Sequence, residues 1–130
     1  MSQQEIEVIL ARHLAEYLAM PILITEPNGD LLFFNEPAEI ILGVRYDETG
    51  PMPAEKWSAM FRSLDEDGNP LPDEERPIMT ALTCRCPIHK KLWIYRQDGA
   101  MRQLAVTAFP LIAQAGRFLG VLAVFWEVVS

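Results

Sequence analysis

Two cysteines and a histidine form the densest group of potentially reactive side chains in this 130-residue sequence. Cys84 and Cys86 flank Arg85, and His89 follows Cys86 by three residues. Thiolates and imidazoles are ligands that zinc prefers, but a closed site needs a fourth ligand, and neither His13 nor a further cysteine is obviously available. A redox-active pair is an alternative. Because a disulfide between residues two apart departs from the usual geometry, we expect two ordinary thiols at a helix-to-strand junction and no metal site.

The acidic segment in the middle of the chain is a second candidate for chemistry, since Asp65, Asp67 and Asn69 have the spacing that opens a calcium loop. Pro70, however, stands where such a loop requires glycine, and no bidentate glutamate follows at the twelfth place. The pattern therefore predicts a turn. The acids at 73–75 suit the first turn of a helix through its dipole. The sequence contains no catalytic triad, phosphate loop or dinucleotide fingerprint, so we expect no catalytic residues and no enzymatic activity.

Composition narrows the class of protein further. Half of the residues are apolar and the formal net charge is −7. A chain of this length can bury a single core, and its negative charge argues against a nucleic-acid partner. Two cysteines are too few for a disulfide framework, and we find neither a signal-peptide pattern nor an apolar run long enough to cross a bilayer. We expect one soluble, cytoplasmic domain without a membrane partner.

The first part of the chain predicts a helix, a hairpin and a second helix. Apolar residues recur at helical spacing over residues 3–19, which is typical of an amphipathic helix. Two apolar runs, 22–25 and 31–34, are joined by a turn that contains Asn28-Gly29. Asn35 can cap a short helix that Gly43 would end.

The rest of the chain predicts a loop-rich middle and an antiparallel meander. Residues 44–76 are rich in proline, glycine and acids, and their apolar cluster predicts one short helix between loops. A helix over 73–82 follows. Turn residues then separate three strand-like segments, which cover residues 88–96, 101–112 and 117–128.

In order and spacing, these elements resemble the PAS family over essentially the whole chain. The family profile of a strand, Pro-x-Gly, a strand, Asn, a short helix and Gly is matched by Pro27-Asn28-Gly29, Leu31 to Phe34, Asn35 and Gly43. The resemblance implies an α+β PAS fold, a five-stranded antiparallel sheet in the order 2-1-5-4-3 with helices on one face. An N-terminal amphipathic helix, over residues 1–20, would precede a PAS domain over residues 21–130.

The resemblance also bears on cofactors. Haem-binding relatives usually take an axial histidine from the long helix, and the helix over 73–82 has none, which leaves His89 as the nearest candidate. Flavin-binding light sensors carry an Asn-Cys-Arg-Phe-Leu-Gln helix, and nothing around 57–61 matches it. The sequence requires no cofactor, and neither haem nor flavin is favoured.

A buried pocket is implied where the family binds its ligands, between the sheet and the helices. Thr25 is the one clear polar anchor in this set, so the sequence predicts either a small apolar ligand or none. The predicted ligand-binding residues are Leu23, Thr25, Trp57, Phe61, Ile78, Leu82, Leu92, Ile94, Leu104, Val106 and Leu122.

The other face of the sheet is also apolar, because both alternating sets of the last two strands are apolar. A second apolar face must be covered, and the N-terminal helix supplies an apolar stripe. We therefore expect this helix to lie on the outer face and a homodimer to complete the burial. The predicted interface comprises Ile6, Ile9, Leu10, Leu14, Tyr17, Leu119, Val121 and Phe125.

These observations favour a sensory or regulatory domain of signal transduction, of the two-component or transcriptional kind, which binds a small apolar ligand and dimerises. Its effector domain or partner protein would lie outside this chain. The alternative is a constitutive dimerisation module with a packed, ligand-free core. An enzyme or a haem protein would depend on His89 and the two cysteines alone.

Overall fold

The computed structural model describes residues 6–128; residues 1–5 and 129–130, which the predicted helix and domain ranges include, lie outside this part. The helices are α1 (Ile6–Leu18), α2 (Glu36–Leu42), α3 (Tyr46–Thr49), α4 (Ala54–Met60) and α5 (Pro77–Cys84). The strands are β1 (Ile22–Thr25), β2 (Leu31–Phe34), β3 (Arg62–Leu64), β4 (Ile88–Tyr95), β5 (Met101–Ile112) and β6 (Phe118–Glu127). Short 3₁₀ turns occupy Asp73–Glu75 and Gln114–Gly116.

One antiparallel sheet joins the strands in the order β2-β1-β6-β5-β4-β3. The predicted order of five strands is confirmed, and β3 adds a sixth strand at the edge, where Ser63 lies opposite Ile94. One short helix between loops was predicted over 44–76, but the structure has two short helices there, α3 and α4, as well as β3, so the prediction was incomplete. Three residues carry too little alternation to reveal an edge strand in a sequence.

The predicted helix over 73–82 begins later than expected. Residues Asp73–Glu75 form a 3₁₀ turn, Arg76 is extended with φ −66° and ψ 139°, and α5 starts at Pro77. A residue that precedes proline is disfavoured in the helical region because its backbone clashes with the proline ring. Pro77 therefore breaks the segment in two and places Arg76 at a corner of the chain.

Asn35 connects three elements through its buried side chain. Its Oδ1 accepts hydrogen bonds from the backbone N–H of Ala38 (3.2 Å), which caps α2, and from the N–H of Ile22 (3.0 Å) in β1. Its Nδ2 donates to the carbonyl oxygen of Met20 (2.6 Å), just after α1. The predicted helix cap is confirmed, and the same side chain also joins the end of α1 to the sheet.

Arg96, in the turn after β4, holds the other end of α2. Its Nη1 donates to the carbonyl oxygen of Ile41 (3.1 Å), and its guanidinium is also paired with Asp98. Gly43 ends the helix with φ +79°, and a Cβ at this position would lie 2.9 Å from the guanidinium of Arg96. The predicted helix stop is confirmed, and the missing side chain makes room for the arginine.

Two apolar clusters lie on opposite faces of the sheet. The inner cluster fills the space between the sheet and α2, α4 and α5. The outer cluster lies beneath α1, where Val8 and Ala15 pack with Ile22, Ile24 and Leu122. The prediction that the N-terminal helix covers the outer face is confirmed.

The alternation of β6 changes phase near its start. Leu111 is paired with Gly120 and Ile112 with Phe118, so that Leu119 is an extra residue in the ladder. Phe118 packs against the inner cluster, whereas Leu122, four residues later, belongs to the outer cluster. A β-bulge inserts one residue and so reverses the faces that strict alternation would assign.

Candidate ligand cavity and outer apolar face

A cavity of about 60 Å³ lies between the inner face of the sheet and helices α4 and α5. Its wall is almost wholly apolar. Eight of the predicted pocket residues line it: Leu23, Trp57, Phe61, Ile78, Leu92, Ile94, Leu104 and Val106. Trp57 is fixed in this wall because its Nε1 donates a buried hydrogen bond to the carbonyl oxygen of Gly29 (3.0 Å).

Three other predicted pocket residues do not line the cavity. Leu122 packs on the outer face because of the bulge in β6, so its assignment to the inner face was wrong. Leu82 is half-buried at the margin of the inner cluster. Thr25 is fully buried, and its Oγ1 has no hydrogen-bond partner among the described residues. The polar anchor expected at Thr25 is therefore not at the cavity.

The wall also contains residues that were not predicted to line it, namely Leu42, Ser63, Arg76, Pro77, Ala123 and Phe125. Phe125 and Val121 were predicted at the dimer interface; both belong to the inner cluster, so this placement was wrong for the same reason as that of Leu122. Gly120, inside a strand, was the signal for a bulge that could have corrected all three.

Arg76 is the charged residue of the wall, and 9% of its surface is exposed. Its Nη2 lies 3.4 Å from the carbonyl oxygen of Ser58 and 3.5 Å from Oδ1 of Asp73. Its Nε and Nη1 are buried and have no partner within residues 6–128. Burial lowers the pKa of Arg76, and the Asp73 carboxylate opposes that shift. The cavity therefore has a cationic group with unused donors in an apolar wall.

The exposed side of α1 is an apolar feature of the outer surface. Val8 and Ala15 face the sheet, which turns most of the other apolar residues of the helix toward solvent. This set, called here the α1 stripe, consists of Ile6, Leu10, Leu14 and Tyr17, with exposed fractions between 59% and 90%. Ile9 is exposed beside the stripe, and Leu119 is partly buried in the outer cluster.

Cys84, Cys86 and His89 have a different arrangement from the predicted one. Cys84 and Cys86 are joined by a disulfide, with their Cα atoms 5.3 Å apart, so the prediction of two thiols was wrong. Arg85 between them has φ +52°, and this left-handed residue turns the chain so that the two side chains meet. His89 lies on β4, where its Nδ1 is 2.8 Å from Oγ1 of Thr107.

The acidic segment forms the predicted turn. Oδ1 of Asp65 accepts hydrogen bonds from the backbone N–H groups of Asp67 and Asn69, both at 2.9 Å. Across residues 6–128, we find no cluster of three or more histidine, cysteine or acidic side chains arranged to hold a metal ion. No described helix has the length and apolar character needed to span a bilayer.

Comparison with known proteins gives structural matches without sequence matches. No family model matches the chain, and no curated protein sequence matches it at a significant level. The PAS domain of BvgS from Bordetella pertussis is 16% identical, with a TM-score of 0.69 over 97% of this chain and 89% of that one.

Two light-sensing proteins are similarly close in structure. A light-oxygen-voltage domain studied with a flavin analogue is 14% identical, with a TM-score of 0.69 over 92% of this chain and 85% of that one. The light-state dimer of the fungal blue-light photoreceptor Vivid is 11% identical, with a TM-score of 0.64 over 98% of this chain and 97% of that one. Together with the strand order and the helices on the inner face, these likenesses show that this chain has the PAS fold.

Proposed function

We propose that this chain is a sensory domain that binds a small, largely apolar molecule in its inner cavity and forms a homodimer through the α1 stripe. The observation that carries the proposal is the cavity itself, which lies between the sheet and two short helices. A preformed apolar cavity with few polar groups is the usual form of a small-molecule site. The likeness to BvgS and Vivid adds support, because one is a PAS domain and the other a photoreceptor.

The cavity suits a sensor because its two sides belong to different elements. Leu104 and Val106 contribute from β5 in the interior of the sheet, whereas Trp57 and Ile78 contribute from α4 and α5. A ligand that contacts both sides better in one helix position than in another shifts the population toward that position. Binding in the cavity would thus displace α4 and α5 relative to the sheet.

Native mass spectrometry and a thermal-shift screen test the ligand-binding half of the proposal. We expect either a co-purified small molecule or a compound that raises the melting temperature, since a ligand at 100 times its Kd stabilises by about 2.7 kcal/mol. A protein that carries no extra mass and responds to no compound would contradict ligand binding. That result would favour the constitutive dimerisation module, which the small volume of the cavity also supports.

The α1 stripe supports the dimerisation half. Its members are spaced at i, i+4, i+8 and i+11, so they form one continuous ridge along the helix. A ridge of this kind can pack against a second copy of itself across a two-fold axis, which makes one interface bury both stripes. Leu119 and Ile9 lie in the same outer region and would extend the contact.

Light scattering of stripe variants tests the dimer. We expect the intact chain to have the mass of two copies, and Leu10→Glu combined with Leu14→Glu to have the mass of one, because charges in the stripe would be buried by pairing. Glu66→Lys is the control for a change of surface charge, since Glu66 is exposed in the turn after β3 and is not part of α1. A monomeric intact chain, or a stripe variant that remains dimeric, would contradict this interface.

A further inference from the structure

Arg76 occupies an unusual position for an arginine, because it belongs both to the wall of the inner cavity and to a more open groove outside it. The groove side also carries Ser58 and Asp73, the two residues that Nη2 of Arg76 approaches. The guanidinium therefore forms part of the partition between the solvent-filled groove and the apolar interior.

The protein does not complete the hydrogen bonding of this guanidinium. Arginine has five N–H donors and stays charged in proteins. Nη2 makes two long contacts, while Nε and Nη1, each almost inaccessible to solvent, have no acceptor in the described part of the chain. The nearby carboxylate, that of Asp73, is three-quarters exposed and so is a weak counter-ion.

A buried cation without acceptors costs free energy, and other residues of the wall do not remove this cost. A buried donor that is left unpaired destabilises the folded state, and it does so more strongly when it is charged. Apart from Arg76, the lining offers one side chain with a hydrogen-bond acceptor, that of Ser63, and no acid. The missing acceptor must therefore come from water or from a bound molecule.

We propose that the cavity binds a compact monocarboxylate, with its apolar body among the sheet and helix residues and its carboxylate on Arg76. This proposal rests on the sensory function proposed above and gives its ligand a chemical class. A carboxylate oxygen supplies the acceptor that Nε or Nη1 lacks, and a hydrogen bond between two ionised groups is about twice as strong as a neutral one. The attraction also gains strength where water is excluded.

The cavity volume limits the size of this ligand. A water molecule needs roughly 10–15 Å³ of such volume, so a cavity of about 60 Å³ holds about four to six non-hydrogen atoms without movement of its walls. With its two oxygens counted, a straight-chain carboxylate of about two to four carbons matches this size. Longer acids would require α4 or α5 to move outward.

Calorimetric titration with acetate, propionate and butyrate tests the proposal, with butyramide and butanol as uncharged molecules of similar shape. We expect butyrate to bind at least ten times more tightly than either neutral compound. Arg76→Gln should weaken butyrate binding at least tenfold and should leave the neutral compounds unaffected. Arg76→Lys, which keeps the charge, should give an intermediate affinity and provides a second variant if the glutamine variant does not fold.

Two further variants locate the bound carboxylate. Arg62→Gln is the matched control, because Arg62 is an exposed arginine of the outer groove and does not line the cavity. Ala123→Val adds two methyl groups to the cavity wall and no charge. We expect the first variant to bind butyrate normally and the second to bind it weakly. Normal binding by Ala123→Val would show that butyrate reaches Arg76 from the groove and would overturn the cavity site.

The same titrations separate this proposal from the more general one. If butyramide or butanol binds as tightly as butyrate, and Arg76→Gln changes nothing, the carboxylate proposal is wrong while a ligand-binding cavity stands. If none of the charged or neutral compounds binds, and the metabolite screen is also negative, both proposals fail together.

Discussion

Replacing Gly120 by alanine tests the close packing of β6 against β1. Gly120 lies in β6 with φ +129°, a conformation that residues with a side chain rarely adopt. A Cβ at this position would lie 1.9 Å from the carbonyl oxygen of Thr25 and 3.0 Å from its carbonyl carbon. Both atoms belong to the backbone of β1, so no side-chain rotation can relieve the overlap.

The expected cost follows from these two effects. The unfavourable φ costs about 1–3 kcal/mol. Relief of the overlap requires β1 and β6 to separate by more than about 1 Å, which weakens the ladder bonds beside Thr25 and Val121 at about 1 kcal/mol each. Together these terms predict a loss of about 3–5 kcal/mol, a large part of the total stability of a small domain. The melting temperature should fall by about 10–20 °C.

Guanidinium unfolding of three proteins measures this loss. Gly68→Ala is the matched control, because Gly68 also has a positive φ, +89°, but has no atom within 4 Å of the position of a Cβ. We expect the control to lose about 1 kcal/mol from backbone strain alone. If Gly120→Ala costs no more than Gly68→Ala, the close approach of β1 to β6 is absent and the reasoning is refuted.

Two further predictions concern the ends of α2. Asn35→Ala should destabilise the protein by about 2–4 kcal/mol in chemical unfolding, because it leaves buried backbone groups without partners. A loss no larger than the roughly 1 kcal/mol of a helix cap alone would contradict the link to β1 and to the end of α1. The hydrogen bond from Arg96 lowers the pKa of Asp98 to about 2. Since this folded-state pKa is below the unfolded value, the stabilisation is present above about pH 4 and is lost as the pH falls toward 2. Unfolding of Asp98→Asn across this range should differ from the intact protein at pH 6 and converge with it at pH 2; a constant difference would be inconsistent with the pair.

Local patterns in the sequence predicted most of the fold. The hairpin turn at Gly29, the Asn35 cap and the Gly43 stop depend on contacts or conformations within a few residues, and each is present in the structure. The order of the strands followed from the family resemblance. The cavity wall was also largely predictable on β4 and β5, where alternation is unbroken.

The remaining features depend on interactions between distant residues. Alternation assigned Leu122 and Phe125 to the wrong faces because one extra residue in β6 reverses every side chain after it. Arg76 was missed because its burial arises from the packing of α4 and β3 around it, and arginines are usually exposed. The disulfide was missed because it requires a left-handed residue at Arg85.

The Asn35 side chain gives the domain a mechanical linkage across its sheet. Its amide group is hydrogen-bonded to Met20, where α1 ends, and to Ala38 in the first turn of α2, on the opposite face of the sheet. Leu42, at the C-terminal end of α2, lines the cavity, so α2 extends from the cavity to the Asn35 amide. A ligand that displaces Leu42 would therefore act on a helix whose first turn shares one hydrogen-bonding side chain with the end of α1.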